Sequence, residues 1–219
     1  MENQARVPFI RDGILFPGVK VKQNVKNQDN ILKGVKILDV GCGAGLLSEA
    51  LAKLGAEVVA LDPSEDLIKS AEDHLSQQKG LNLTYSTDLV QDHAATHEEK
   101  YDVVVASEVV EHVVDKKHFL QACVKALKPG GSIFVTTLNK TWFSWFFAII
   151  WAEFILRLLP MYTHIWDQFI SPDDVTKILE ENGCKTVRVQ GWSYDFYRDK
   201  FSYQRSTQIM YGLHAVKQK

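Results

Sequence analysis

Ile37-Leu38-Asp39-Val40-Gly41-Cys42-Gly43-Ala44-Gly45-Leu46-Leu47 is the stretch that decides the fold. The apolar run before Gly41 reads as a buried strand, the three glycines as a tight turn, and Leu46-Leu47 as the opening of a helix. Glycine tolerates positive φ and lets a ligand come close to the backbone, and a helix N-terminus offers unpaired N–H groups. Strand, turn and helix in that order form the first unit of a parallel sheet, with the turn as a candidate ligand cradle.

Outward from that loop, short β-rich runs alternate with helical patterns. Strands are expected at 35–40, 57–62, 83–86, 101–106 and 132–138, with two late ones at 186–190 and 208–216. Ser64 is placed to cap a helix running to about Gln78. Ser171-Pro172-Asp173-Asp174 is a stronger start: a capping hydroxyl, proline at the first helical position, then acids that suit the helix dipole. That helix should stop at Asn182-Gly183. The expected fold is α/β: a doubly wound, seven-stranded, mostly parallel sheet in one domain over residues 1–219. Gly18–Asn30 is polar and weakly patterned and reads as a loop.

The bulk properties agree. A 219-residue chain that is 46% hydrophobic can bury one sizeable core. A net charge of −2 gives no support to a nucleic-acid binder, which should carry a basic face. Cys42, Cys123 and Cys184 are far apart and lack metal-ligand spacing, which fits a reducing compartment. Met1–Ile10 has no apolar signal core and is not Arg/Ser-rich like a transit peptide.

One strand past the glycine loop, Val58-Val59-Ala60-Leu61-Asp62 ends in a carboxylate, a group able to hold both hydroxyls of a ribose. A dinucleotide site uses the same geometry, but its third glycine falls one place later, where Leu46 stands. A plain strand–helix turn without ligand is the bland alternative. After the fourth strand comes Ala106-Ser107-Glu108-Val109-Val110-Glu111-His112-Val113. On a helical turn the spacings Glu108–Glu111 and Glu108–His112 would point three side chains one way. Two carboxylates and an imidazole can hold a divalent ion, Mg²⁺ by its preference for oxygen or Zn²⁺ by the imidazole. The alternative is a metal-free site with the histidine packed beside a cofactor.

The G-x-G-x-G loop behind Asp39 resembles motif I of class I S-adenosylmethionine methyltransferases. The run 106–113, with Leu127-Lys128-Pro129-Gly130-Gly131, Thr136-Thr137-Leu138-Asn139-Lys140, Thr163-His164 and Phe169-Ile170-Ser171-Pro172, resembles the ubiquinone-biosynthesis O-methyltransferases over nearly the whole chain. That resemblance implies S-adenosylmethionine as cofactor, contacted by Arg6, Gly41, Gly43, Gly45, Asp62 and Ser107. It implies Glu108, Glu111 and His112 as ligands of a divalent metal. The implied reaction is O-methylation of polyprenyl dihydroxybenzoate and demethylubiquinol. On chemical grounds, Glu108 is catalytic through the metal, His112 is the candidate general base if no metal binds, and His164 is a second candidate base. A mitochondrial location on the matrix face of the inner membrane follows by the same resemblance, or the inner-membrane surface of a bacterium, alongside other ubiquinone-biosynthesis proteins.

Residues 141–162 form an apolar insert after the fifth strand, with Trp142, Phe143, Trp145, Phe146, Phe147 and Trp151 in its first half. Its length approaches a membrane span, but a crossing would separate strands that belong to one sheet. Buried core or dimer contact, a lid, and an interfacial helix remain, and the last is favoured because aromatic residues settle at a bilayer boundary. Lys20, Lys22, Lys26, Lys33 and Lys36 could add attraction to anionic lipid. Rival classes are a metal-free methyltransferase of a soluble metabolite, an NAD-dependent oxidoreductase, and a non-catalytic methyltransferase-like subunit.

Overall fold

A computed structural model describes residues 3–15, 30–140, 169–195 and 200–219. The aromatic insert, His164 and Lys20, Lys22 and Lys26 lie outside the described residues. Each glycine-loop neighbour falls where its pattern predicts: β1 is Lys36–Val40, α2 is Leu46–Lys53, and β2 is Glu57–Asp62. α3 (Glu65–Ser76), β3 (Leu83–Thr87), α4 (Val90–Thr96) and β4 (Tyr101–Ser107) follow. Then come a 3₁₀ turn at Val110–His112, α5 (Lys116–Ala126) and β5 (Leu127–Leu138). After the insert lie α6 (Pro172–Glu181), β6 (Cys184–Asp195), β7 (Lys200–Gln204) and β8 (Met210–Lys217).

Among the described residues the strands form one eight-stranded sheet in the order β3-β2-β1-β4-β5-β8-β6-β7. The first five run parallel, and β8, β6 and β7 are added antiparallel. Seven strands were expected, and β7 corrects the count. It pairs with the end of β6, Gly191 opposite Gln204 and Ser193 opposite Ser202. Lys200-Phe201-Ser202-Tyr203-Gln204 alternates, but it is five residues long with polar ends, as suits an edge strand. β5 also starts earlier than its apolar run, because Lys128–Gly131 bulge out opposite Asp102 before Ser132 pairs with Val103. Lys128 Nζ reaches the Asp102 carboxylate across this bulge at 2.6 Å.

Strand alternation sorts the core to two faces. Val104 and Ala106 of β4 join one cluster with Phe119 and Leu120 of α5 and Val175 and Leu179 of α6. Val103 and Val105 join the other, with Leu51 of α2 and Ile68 and Ala71 of α3. The capping signals hold: Ser64 Oγ accepts from Leu67 N, and Ser171 Oγ from Asp174 N at 3.1 Å.

The first helix, α1 (Asn3–Leu15), packs over the antiparallel half of the sheet. Phe9 meets Phe134 and Trp192 edge to face, with centroids 5.7 and 5.6 Å apart. Tyr203 of β7 donates to the carbonyl of Ala5 at 2.6 Å. Under the same helix His214 stacks on Phe134 at 4.3 Å and meets Ser132 Oγ at 2.9 Å. Burial lowers the basicity of His214, to about 4. Unfolded, the imidazole titrates near 6.5, so between those values the unfolded chain binds a proton that the folded chain refuses. Stability therefore rises with pH across that window and is lost as pH falls through it, by up to about 3 kcal/mol. His214→Leu should flatten this slope in urea titrations at pH 7 and 4.5, and an unchanged slope would count against His214.

The chain winds β1-β2-β3 outward, then returns to place β4 on the other side of β1. This reversal opens a crevice at the carboxyl ends of β1 and β4, where doubly wound sheets bind ligands. Val40 pairs with Leu61 on one side and Ala106 on the other, so the residues that follow each strand converge there.

Candidate cofactor and acceptor site

The glycine loop leaves β1 and turns back over the end of β2, with the N–H groups of Gly41 and Cys42 both donating to Leu61 O at 2.8 and 2.9 Å. Gly45, the last residue before α2, has φ +80°, and a Cβ there would lie 2.0 Å from the Tyr85 hydroxyl oxygen. Gly41 has φ +70°, and its Cβ would lie 2.5 Å from Val109. Both conformation and space therefore demand glycine at these two positions.

Asp62 closes β2 and is nearly buried, at 8% exposure. Its Oδ2 accepts from Gly43 N at 2.9 Å and its Oδ1 from Ser64 N at 3.0 Å. Each oxygen keeps acceptor capacity, so a fixed carboxylate is presented for two vicinal hydroxyls. Asp39 accepts from Ser48 Oγ at 2.5 Å. Burial raises its pKa to about 6, against the opposing pull of Ser48 and Arg6. It therefore keeps its negative charge at neutral pH. Burial also raises the Cys42 thiol, which keeps it protonated and out of nucleophilic chemistry.

A cleft of about 410 Å³ runs along this loop, lined by Asn3, Arg6, Asp39, Gly41, Leu47 and Ser107 among others. A second hollow of about 270 Å³ shares Gly41 and is lined by Leu61, Asp88, Leu89, Val109, His112 and Phe119 among others. Asp88 and Leu89 belong to no motif, and only a polar–apolar pair just past a weak third strand marks them in the sequence. Arg6, Gly41 and Ser107 line the first cleft, with Arg6 Nη1 donating to Ser107 Oγ at 3.0 Å, and Asp62 is tied to the glycine loop through Gly43 N.

The acid cluster is assembled only in part. Glu108 takes φ +55°, a strained value for a residue with a Cβ, and its N–H is held by Thr136 O at 2.8 Å. Thr136 Oγ1 donates to Glu108 Oε1 at 3.0 Å, and Thr137 Oγ1 to Glu111 Oε2 at 2.7 Å. Burial raises both carboxyls, and the charge of Glu111 raises Glu108 further. His112 is exposed and lines the second hollow instead. The expected three-ligand set is thereby corrected: among the described residues no three His, Cys, Asp or Glu side chains are placed to hold a metal ion. The reason is the turn. Glu108, at φ +55°, stands outside the Val110–His112 turn, so the i,i+3 and i,i+4 spacings of a continuous helix do not relate it to Glu111 and His112.

Residues 14–189 match the profile of a methyltransferase domain. The ubiquinone biosynthesis O-methyltransferase of Bradyrhizobium diazoefficiens is 40% identical over 213 residues, 97% of this chain and 81% of its own. The mitochondrial ubiquinone biosynthesis O-methyltransferases of Bos taurus and Homo sapiens are each 42% identical over 98% of this chain. The chain spans 57% and 58% of their respective lengths. Among solved structures, magnesium protoporphyrin IX methyltransferase from Synechocystis superposes with a TM-score of 0.66 at 22% identity, covering 98% of this chain and 83% of that one.

Proposed function

Because this chain belongs to the ubiquinone biosynthesis O-methyltransferase family of methyltransferase-domain proteins, we propose that it moves the methyl group of S-adenosylmethionine to a phenolic oxygen of a ubiquinone precursor. The observation that carries this reading is the cleft lined by the glycine loop, Arg6 and Ser107, with Glu108 following Ser107 at the end of β4 and interacting with the buried Glu111. Asp62 holds the ribose hydroxyls. The glycine loop admits the methionine part, and Asp39 sets a negative charge near the sulfonium. The apolar hollow at Leu61, Leu89 and Val109 suits the flat adenine ring.

In the transfer the hydroxyl oxygen attacks the methyl carbon, the carbon–sulfur bond breaks, and the hydroxyl proton leaves. Holding the two reactants in line lowers most of the barrier. Glu108 and Glu111 fit a hard divalent ion, Mg²⁺ above Zn²⁺, as two adjacent oxygen donors; His112 does not stand with them. Bound there, such an ion would lower the pKa of a ring hydroxyl. His112, at the mouth of the second hollow, is the candidate base when no ion is present.

The proposed substrates are polyprenyl dihydroxybenzoates and demethylubiquinols, after the family name. Methyl transfer from labelled S-adenosylmethionine to a short-prenyl catechol, run with Mg²⁺, Zn²⁺ or chelator, tests the reading. Transfer stimulated by Mg²⁺ is expected. No transfer under any condition would defeat the proposed activity, and transfer indifferent to chelator would assign proton removal to His112.

A polyprenyl tail is best collected at a bilayer, so the chain works as a peripheral protein there, beside other enzymes of the pathway. Among the described residues no helix is long and apolar enough to cross a membrane. Exposed Leu46, Leu89 and Val114 follow the carboxyl ends of β1, β3 and β4, around the mouth of the site, which supports an approach to lipid from that edge. Lys33 precedes β1 and Lys36 opens it, at the opposite edge, so they add nothing there. The relatives from Bos taurus and Homo sapiens are named as mitochondrial, which favours the matrix face of the inner membrane, or a bacterial inner-membrane surface in a prokaryote. Flotation with liposomes should be lost when Trp142, Trp145 and Trp151 are replaced by serine, and retained flotation would remove the insert from this role.

A further inference from the structure

The parallel register sets Ser107 of β4 directly beside Thr136 of β5. Their hydroxyl oxygens lie 2.8 Å apart, with Thr136 fully buried and Ser107 nearly so. Arg6 Nη1 donates to Ser107 Oγ at 3.0 Å on one side, and Thr136 Oγ1 donates to Glu108 Oε1 at 3.0 Å on the other. Proton counting then orients the whole row. A guanidinium only donates, and Glu108 Oε1 accepts from Thr136. Thr136 has one hydroxyl proton, committed to Glu108, so the proton between the two hydroxyls belongs to Ser107. Every bond runs the same way, from the guanidinium of α1 to the carboxyl after β4, and such chains strengthen one another.

We infer that Thr136 is a positioning residue that couples the acid side of the site to the cofactor side, by fixing the Ser107 hydroxyl so that its lone pair faces Arg6. The inference rests on the reading of Arg6 and Ser107 as cofactor contacts. Glu108→Gln frees the row to reverse: the amide can donate to Thr136, Thr136 to Ser107, and the Ser107 proton then confronts an Arg6 N–H. Valine at 136 keeps the shape of threonine and removes the hydroxyl altogether.

The test is a double-mutant cycle read by calorimetric binding of S-adenosylhomocysteine, which needs neither acceptor nor metal. Thr136→Val and Glu108→Gln should each weaken binding about five- to tenfold, the worth of one hydrogen bond in this setting. The double variant should bind no worse than Thr136→Val alone, because the second change acts only through the first. Thr136→Ser should restore affinity to near that of the parent. Unaltered affinity in Thr136→Val, or losses that multiply in the double variant, would overturn the coupling. A parent chain that fails to bind S-adenosylhomocysteine would instead overturn the cofactor reading beneath it. If thermal melts show that Thr136→Val does not fold, Ser107→Ala replaces it in the same cycle, with the same non-multiplying result expected.

Discussion

Asp62→Ala is expected to weaken S-adenosylhomocysteine binding by more than about a hundredfold, roughly 3 kcal/mol. The lost charge-assisted bonds to ribose are one part of this. The other is internal to the protein: the same carboxylate holds Gly43 N and Ser64 N, so its removal frees both the glycine loop and the first turn of α3. Asp62→Asn should recover part of the loss, since an amide oxygen can still accept one of these bonds. Calorimetry of the two variants measures the difference. An alanine variant that binds within about threefold of the parent would take Asp62 out of the site.

Glu111→Gln is expected to lower methyl transfer by about 10²- to 10⁴-fold, the range for losing a group that manages the acceptor proton. Affinity for S-adenosylhomocysteine should stay nearly constant, because the glutamine keeps the bond from Thr137 and Glu108 keeps its own bond from Thr136. The glutamine oxygen can still accept from Thr137, so the fold is preserved. Melting temperature should rise, since one of two buried carboxyls that crowd each other has been neutralised. Lower activity with higher stability is the expected mark of a strained functional pair. A normal rate, or a fall in melting temperature, would contradict this role.

The parts of the site legible in the sequence are those set by neighbours along the chain. Gly41, Gly43, Gly45 and Asp62 each sit at a strand end, where spacing alone specifies position. The switch point follows from alternating strands and helices, and the cap at Ser171 from its own four residues. What was not legible depends on contacts across the sheet or on a choice between similar turns. Thr136 and Thr137 were visible in a motif, but their grip on Glu108 and Glu111 exists only once β5 lies beside β4. The spacing of Glu108, Glu111 and His112 suits one helical turn, but the left-handed backbone at Glu108 breaks that turn before Val110. Helix α1 was hidden because Pro8 interrupts it and its apolar residues do not follow one stripe. β7 was hidden because a short edge strand with polar ends looks like a loop.

Arg6 reaches the cofactor cleft from a helix whose seat is made by Trp192 and Tyr203, residues of the final hairpin. Helix α1 and the β6–β7 hairpin are therefore one packing unit, although neither resembles a binding motif. Drift at positions 192 and 203 is felt at positions 5 and 9, and through them in the hold on the nucleoside. Among relatives these four sites should covary, and transplanting the glycine loop and its sheet without the terminal hairpin would yield a chimera that keeps its core yet loses its grasp of the methyl donor.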